Sequence, residues 1–164
     1  MSTADAAETP SVRSPAVGTT WVSPLGLAFA FLIDSQETDG GFSLIHVTAK
    51  QGAGPARHVH SREDEAFYLL SGEVRAMVGE AVTTLRPGDA VFLPRGVPHT
   101  YQVISAEAVF LNVIAPAGFE AFFREVSQAP DRGEGADVTT DRQRIAALLN
   151  GYGVAVVGPP LPVA

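Results

Sequence analysis

Two histidines, His58 and His60, stand two residues apart, and Glu65 follows them after a short polar stretch. Along an extended strand the side chains at i and i+2 project from the same face, so both imidazoles can reach one ion. A turn after His60 would bring Glu65 back at the head of the next strand, and His99 follows a proline-rich turn of its own. Imidazoles and carboxylates bind divalent transition metals, so these residues are candidate metal ligands. Two exposed surface histidines explain the His-x-His pair equally well when it is taken alone.

Composition narrows the chemistry that this chain can perform. Its 164 residues are 46% hydrophobic and 18% charged, which indicates one globular domain. Eleven basic against eighteen acidic residues give a net charge of −7, so nucleic acid and anionic membranes are not expected partners. Because the chain has no cysteine, any metal must be bound by histidine and carboxylate.

No targeting or membrane segment is expected from the sequence. No apolar run approaches the roughly 18 residues of a membrane span. The first residues lack the basic start and the apolar run of a secretory signal. We therefore expect a cytoplasmic protein.

The hydrophobic pattern predicts the elements that must position the candidate ligands. Large and small side chains alternate over residues 25–33, which is the period of a strand. Turn residues then recur at short intervals between β-branched or aromatic runs, as in antiparallel sandwiches and barrels. About nine or ten strands are expected. Those after the first include, besides the His-x-His strand, residues 42–50, 67–70, 74–78, 81–85, 90–93, 99–104 and 109–114.

The C-terminal part changes to a helical period. Apolar residues recur at i, i+3, i+4 and i+7 at Phe119, Phe122, Phe123 and Val126. A second helix is predicted over 141–149, because Thr140 and Gln143 have capping-box spacing and Gly151 can end it.

These elements define an all-β domain with an extension. We predict a flexible arm over residues 1–18 and one domain over 19–164, whose helical extension covers about 117–150. The helices are expected to cover the barrel or to form a dimer contact rather than a lid.

The candidate ligands lie within a longer pattern that resembles the two signature motifs of the cupin superfamily. The residues that carry the resemblance are Gly52, His58, His60, Glu65, Gly72, Gly88, Pro94, Gly96 and His99. The resemblance implies a small antiparallel β-barrel, or jelly roll, with a metal ion held by His58, His60, Glu65 and His99. The first motif also admits Asp64 as the carboxylate, but the six-residue gap to Gly72 selects Glu65. The second motif usually has a non-ligating asparagine where this chain has Val103.

Longer runs resemble the single-domain quercetin 2,3-dioxygenase-like cupins. They are His-Val-His-Ser-Arg-Glu-Asp-Glu-Ala-Phe-Tyr and Phe-Leu-Pro-Arg-Gly-Val-Pro-His-Thr-Tyr. This resemblance implies a metal-dependent dioxygenase that acts on a flavonol-like aromatic enol with dioxygen. Glu65 would be its general base, and family analogy implies a homodimer.

Several alternatives remain open at this point. The ion is one divalent transition metal among Fe, Mn, Ni, Co, Cu and Zn, because affinity alone does not choose between them. Four ligands around tetrahedral zinc would close the coordination shell and make the site structural. The same site would also suit a non-redox isomerase or lyase, or a cupin that binds a small molecule without turnover.

A substrate pocket is expected from residues that share the face of the ligands. The candidates are Phe67, Tyr101, Met77 and Phe92, with Leu69 and Val103 in step on the same strands. Core packing explains each of them equally well, although a buried Tyr101 needs a hydrogen-bond partner. His46 has no motif around it and is expected to be an ordinary strand residue. Glu63 and Asp64 are predicted to lie in a solvated turn at the barrel mouth.

Overall fold

The structure of the chain is a computed structural model that describes residues 12–15, 20–23, 26–127 and 142–162. Within these ranges the chain forms eleven strands and two short helices. The strands are β1 (Thr20–Ser23), β2 (Leu27–Ile33), β3 (Ser43–Lys50), β4 (Arg57–His60), β5 (Asp64–Ser71), β6 (Val74–Val78), β7 (Ala81–Leu85), β8 (Ala90–Leu93), β9 (His99–Val103), β10 (Glu107–Ala115) and β11 (Val154–Gly158). The helices are α1 (Glu120–Glu125) and α2 (Arg142–Gly151).

The strands form two antiparallel sheets with one hydrophobic core. One sheet has the strand order β1-β2-β3-β10-β5-β8, and the other has the order β11-β4-β9-β6-β7. In the described part of the chain the two sheets do not join into a closed barrel. The arrangement is a jelly roll with two short C-terminal helices, which confirms the predicted all-β fold.

Alternation of burial along the strands explains why the sequence pattern located them. In β3 every second side chain, from Ser43 to Ala49, is buried, whereas the residues between them are half-buried. Strands β6, β7 and β8 have the predicted bounds. The pattern missed β1 and β11, because both are short and β11 exposes three of its five residues. These two strands are stabilised by pairing with longer neighbours rather than by an alternating pattern of their own.

Two glycines allow backbone approaches that hold the sheets in place. A Cβ atom added at Gly54, just before β4, would lie 1.9 Å from the Tyr101 carbonyl oxygen. A Cβ at Gly72 would lie 2.3 Å from the Glu107 carbonyl oxygen, and Gly72 also has a φ of +82°. Both positions therefore require glycine, and Gly54 brings β4 against β9.

The C-terminal extension closes onto the sheet that carries the histidines. Helix α1 contributes Phe122 to the core, with Phe119 just before it and Val126 just after it. Helix α2 leads into β11, which pairs with β4, so that Val154 lies opposite His60. The first predicted helix is thus confirmed. The second forms over Arg142–Gly151, whereas its predicted cap at Thr140 lies outside the described residues.

Two further expectations concern the ends of the chain and membranes. Of the predicted arm, only residues 12–15 are described, so the arm and the domain limits stay predictions. Neither described helix combines the length and the apolar character that crossing a membrane requires.

Candidate metal centre

The four predicted ligands converge between the two sheets. His58 and His60 point inward from β4, and His99 opens β9 directly opposite His58. Paired residues on antiparallel strands project to the same face, so the three imidazoles share one face of the five-stranded sheet. Glu65 comes from β5 in the other sheet. Each of the four residues offers one ligand atom, and these atoms all lie within 4.8 Å of one another.

Each imidazole is held through its Nδ1 atom. His58 Nδ1 lies 2.8 Å from the carbonyl oxygen of Ala56, and His99 Nδ1 lies 3.0 Å from that of Val97. His60 Nδ1 lies 3.2 Å from a carboxylate oxygen of Glu63. Because these partners only accept, each Nδ1 carries the proton and donates it. The lone pair of a neutral ring is then on Nε2, the atom left free to bind a metal.

Glu65 faces the histidines with one carboxylate oxygen and is held by the other. Its Oε2 lies 3.2 Å from His99 Nε2 and 3.4 Å from His60 Nε2. Its Oε1 accepts a hydrogen bond from Asn112 Nδ2 at 3.0 Å. Asn112 thereby leaves Oε2 as the oxygen directed at the centre of the cluster.

Protonation in the cluster suits metal binding. Burial, followed by the charge of His99, lowers the pKa of His58 to about 4, so this imidazole is neutral at pH 7. Burial by itself raises the pKa of Glu65. A hydrogen bond from protonated His99 and the charges that His60, His99 and His58 carry when protonated outweigh it and hold that pKa at about 2. Glu65 is therefore ionised at neutral pH.

A divalent cation fits these donors on the geometry alone. His60 Nε2 is buried and has no hydrogen-bond partner among the described residues. When His99 carries a proton on Nδ1 alone, the lone pair of its Nε2 faces a carboxylate oxygen of Glu65. Either a second proton, which makes the hydrogen bond described above, or a cation must then lie between these two atoms. One ion bound by the Nε2 atoms and by Glu65 Oε2 would satisfy these groups together.

Glu63 does not lie in a solvated turn, and that prediction is wrong. The residue is 4% exposed, and its carboxylate accepts a hydrogen bond from the buried His60 ring. Its neighbour Asp64 does face outward, where its carboxylate pairs with Arg95 through two oxygens. Asp64 therefore does not reach the cluster. Both residues belong to one charged run, and nothing in the sequence shows that the carboxylate of Glu63 turns inward while that of Asp64 does not.

Two more residues of the site were not singled out by sequence reasoning. Asn112 lies on β10 at a position whose neighbours 110 and 114 are apolar and inward-facing, so a polar residue in step with them was an available signal. Phe119 packs edge-on against His60, with ring centroids 4.6 Å apart. The helical pattern placed Phe119 on an apolar face but not on the metal-ligand side of the core.

Two of the four predicted pocket residues share the face of the ligands. Phe67 follows Glu65 and Tyr101 follows His99, and their rings pack edge-on with centroids 5.3 Å apart. Burial, together with the charge of Glu65, raises the pKa of the Tyr101 phenol well above its usual value, so the phenol keeps its proton. Within the described residues no hydrogen-bond partner of this hydroxyl is found.

The other two predicted pocket residues face away from the cluster, and these predictions are corrected. Met77 pairs with Thr100, so the positions opposite His99 and Tyr101 belong to its neighbours at 76 and 78. Phe92 pairs with Ala66, and its side chain is 60% exposed. Each residue lies next to an inward-facing residue of its strand, and neighbouring residues of a strand project to opposite faces.

The remaining histidine lies where it was expected. His46 is on β3 between Ala30 of β2 and Leu111 of β10, outside the cluster. Partial burial lowers its pKa. Its neighbours at 45 and 47 are the buried ones, so its side chain is on the outer face.

Comparison with known proteins identifies the family. Residues 45–114 match the cupin domain family. Quercetin 2,3-dioxygenase of Bacillus subtilis is 30% identical over 89 residues, which cover 54% of this chain and 26% of that protein. Quercetin 2,3-dioxygenase of Aspergillus japonicus is 28% identical over 102 residues, 58% of this chain and 29% of that protein. The matched region is thus less than a third of the length of these curated relatives.

A solved structure shares the fold. KdgF from Halomonas sp. superposes with a TM-score of 0.61 at 18% identity, covering 69% of this chain and 99% of that chain. At this identity the likeness concerns the fold. The jelly roll, the converging motif residues and the family match lead to one conclusion: the chain belongs to the cupin superfamily.

Proposed function

We propose that this chain is a metal-dependent dioxygenase that acts on a flavonol-like aromatic enol with dioxygen. The observation that carries the proposal is the convergence of three imidazoles and Glu65, with ligand atoms within 4.8 Å of one another. Two curated relatives named quercetin 2,3-dioxygenase support the choice of substrate class.

The ion would be held by Nε2 of His58, His60 and His99 and by Oε2 of Glu65. A divalent transition metal supplies Lewis acidity, which lowers the pKa of a substrate hydroxyl, and redox chemistry toward dioxygen. The identity of the ion among Fe, Mn, Ni, Co, Cu and Zn stays open. The protein supplies a fixed set of donors, because every imidazole is oriented through its Nδ1 atom.

Glu65 is the residue that would take the substrate proton. It is ionised at neutral pH, so Oε2, when it is not bound to the ion, can accept the proton of a hydroxyl placed beside it. A carboxylate with so low a pKa is a weak base, and it accepts this proton only from an acidified hydroxyl. Asn112 holds Oε1 and keeps Oε2 directed at the place where that hydroxyl would lie.

Aromatic side chains would orient the substrate and exclude water. Tyr101 retains its proton and lacks a hydrogen-bond partner within the described part of the chain, so its hydroxyl is a candidate donor to a substrate oxygen. Phe67 lies against Tyr101, and Phe119 covers His60. These apolar surfaces reduce the access of water to the reacting groups.

The test is oxygen uptake by protein loaded with one metal at a time under anaerobic conditions. Wild-type protein mixed with quercetin is expected to consume dioxygen with at least one of Fe, Mn, Ni, Co and Cu. His99→Ala should show no uptake, and His46→Ala, which changes a histidine of the outer face, should match the wild type. Absence of uptake with all five metals would overturn the dioxygenase proposal.

Other expectations remain predictions alongside this proposal. They are a cytoplasmic location, a homodimer, and the use of a small-molecule substrate without nucleic acid or membrane partners. A sedimentation measurement would settle the number of subunits.

A further inference from the structure

The three candidate imidazole ligands do not have equivalent supports. His58 and His99 donate from Nδ1 to neutral carbonyl oxygens of the backbone. His60 instead donates to the carboxylate of Glu63. A hydrogen bond to a charged acceptor is stronger than one to a neutral acceptor, and it increases the basicity of the other ring nitrogen. His60 is therefore set apart from the other two ligands.

The Glu63 carboxylate is buried with the ring that it supports. The side chains of His60 and Glu63 are 0% and 5% exposed. Arg62 lies near the other carboxylate oxygen, with Nε 3.5 Å away, but its own side chain is 57% exposed and its guanidinium donates to the Tyr152 carbonyl oxygen. Water therefore screens the charge of Arg62 more than the charge of Glu63.

The Glu63 carboxylate also matters for the net charge of the metal centre. A divalent ion bound by neutral imidazoles and by Glu65 alone would leave one uncompensated positive charge in a buried site. Such a charge is costly away from water. Glu63 supplies the second negative charge, and it acts through the ring of His60 rather than by direct ligation.

We propose that Glu63 is a positioning residue of the metal centre, which orients His60 and supplies the second negative charge that balances a divalent ion. This inference rests on the metal centre of the proposed function, although not on the dioxygenase reaction. It predicts that His60 is the strongest donor among the three imidazoles.

The first test is the affinity for Co²⁺, measured by competition with a chelator. Glu63→Gln keeps the size of the side chain and an acceptor oxygen but removes the charge, and it should weaken cobalt binding by about 10- to 100-fold. Glu73→Gln is the matched control, because it removes one carboxylate whose side chain is 44% exposed and pairs with Arg86. The control should stay within about twofold of the wild type.

A second variant and a spectroscopic readout separate this role from a merely structural one. Glu63→Asp keeps the charge, so it should bind Co²⁺ more tightly than Glu63→Gln. In the proton spectrum of the cobalt-loaded protein, Glu63→Gln should move the exchangeable Nδ1 proton of His60, while those of His58 and His99 stay in place.

The outcomes distinguish the two proposals. Cobalt affinity of Glu63→Gln within twofold of the wild type would overturn the role of Glu63 and leave the metal centre standing. So would equal affinities of Glu63→Asp and Glu63→Gln, or an unmoved His60 proton. Failure of wild-type protein to bind Co²⁺ would overturn the metal centre itself, and this inference with it.

Discussion

The interior of the jelly roll has two unlike halves along the same strands. At one end of β5 and β9 lie Glu65 and His99, which belong to the candidate metal centre. Four residues further along the same strands lie Leu69 and Val103, each 1% exposed. The first half buries charges and lone pairs, which costs stability unless they are compensated, whereas the second buries apolar surface, which stabilises the fold.

The same strands therefore carry residues of the candidate site at one end and residues that stabilise the fold at the other. Phe67 and Tyr101 form the boundary, and Phe110 joins them on the apolar side with ring centroids 4.9 and 5.5 Å from theirs. Substitutions in the polar half should then change metal binding at little cost in folding. Substitutions in the apolar half should do the reverse.

The largest expected effect is the loss of a ligand from the polar half. His99→Ala should weaken the binding of a divalent transition metal by more than the roughly 10- to 100-fold seen for residues that support ligands, because it removes one donor and leaves Glu65 without its closest imidazole. Metal content and affinity are measured by elemental analysis and chelator competition, and circular dichroism checks that the variant is folded. Wild-type affinity in His99→Ala would contradict the assignment of this ligand.

The apolar half is tested with two neighbouring leucines on β5. Leu69 is 1% exposed and Leu70 is 42% exposed. Leu69→Ala should lower the free energy of unfolding by about 2 to 5 kcal/mol, and Leu70→Ala should change it by no more than about 0.5 kcal/mol. Denaturant titration of the metal-free proteins measures both. If Leu69→Ala also abolished metal binding in the folded protein, the two halves would not be separable.

The free energy of unfolding should depend on pH, because the polar half buries ionisable groups. His58 has a folded pKa of about 4, below its unfolded value of 6.5, so the unfolded chain binds a proton first as the pH falls. The metal-free protein should therefore lose roughly 3 kcal/mol of stability between pH 6.5 and pH 4. Glu65, with a pKa of about 2 against 4.5, adds a further loss below pH 4.5.

The measurement is the free energy of unfolding of the metal-free protein at a series of pH values. His58→Ala should lack the loss between pH 6.5 and pH 4, because the group responsible is gone. The effect of Leu69→Ala should be the same at every pH. A wild-type stability that does not change from pH 7 to pH 4 would contradict the lowered pKa of His58.

The smallest expected effect concerns the residue that holds Glu65. Asn112→Leu removes the hydrogen bond to Glu65 Oε1 and frees the carboxylate to rotate. Metal affinity should fall by roughly tenfold, at the low end of effects seen for residues that support ligands. Chelator competition measures this change. An unchanged affinity would show that Glu65 is oriented without Asn112.

Much of the fold and the pairing of His58 with His60 could be predicted from local patterns, whereas the resemblance to the cupin motifs assigned Glu65 and His99 to the same site. The i, i+2 spacing placed His58 and His60 on one face, and turn residues between β-branched or aromatic runs gave β6, β7 and β8 their bounds. Both inferences use only residues that are close to one another in the sequence.

What could not be predicted depends on pairing between distant strands. Met77 and Phe92 were assigned to the wrong face, because the side of a residue follows from register, and one position reverses it. The burial of Glu63 depends on how the turn after β4 folds beneath His60. Asn112 meets Glu65 through the pairing of β10 with β5, across 47 residues of sequence.

The visible absorption spectrum of the Co²⁺-loaded protein tests the central claim most directly, because its intensity reports the number of ligands. We predict one bound Co²⁺ per chain with the weak bands of a six-coordinate ion, which leaves two positions beyond the four protein ligands for small oxygen-containing molecules. The intense bands of a four-coordinate ion, or protein that binds no Co²⁺, would contradict it.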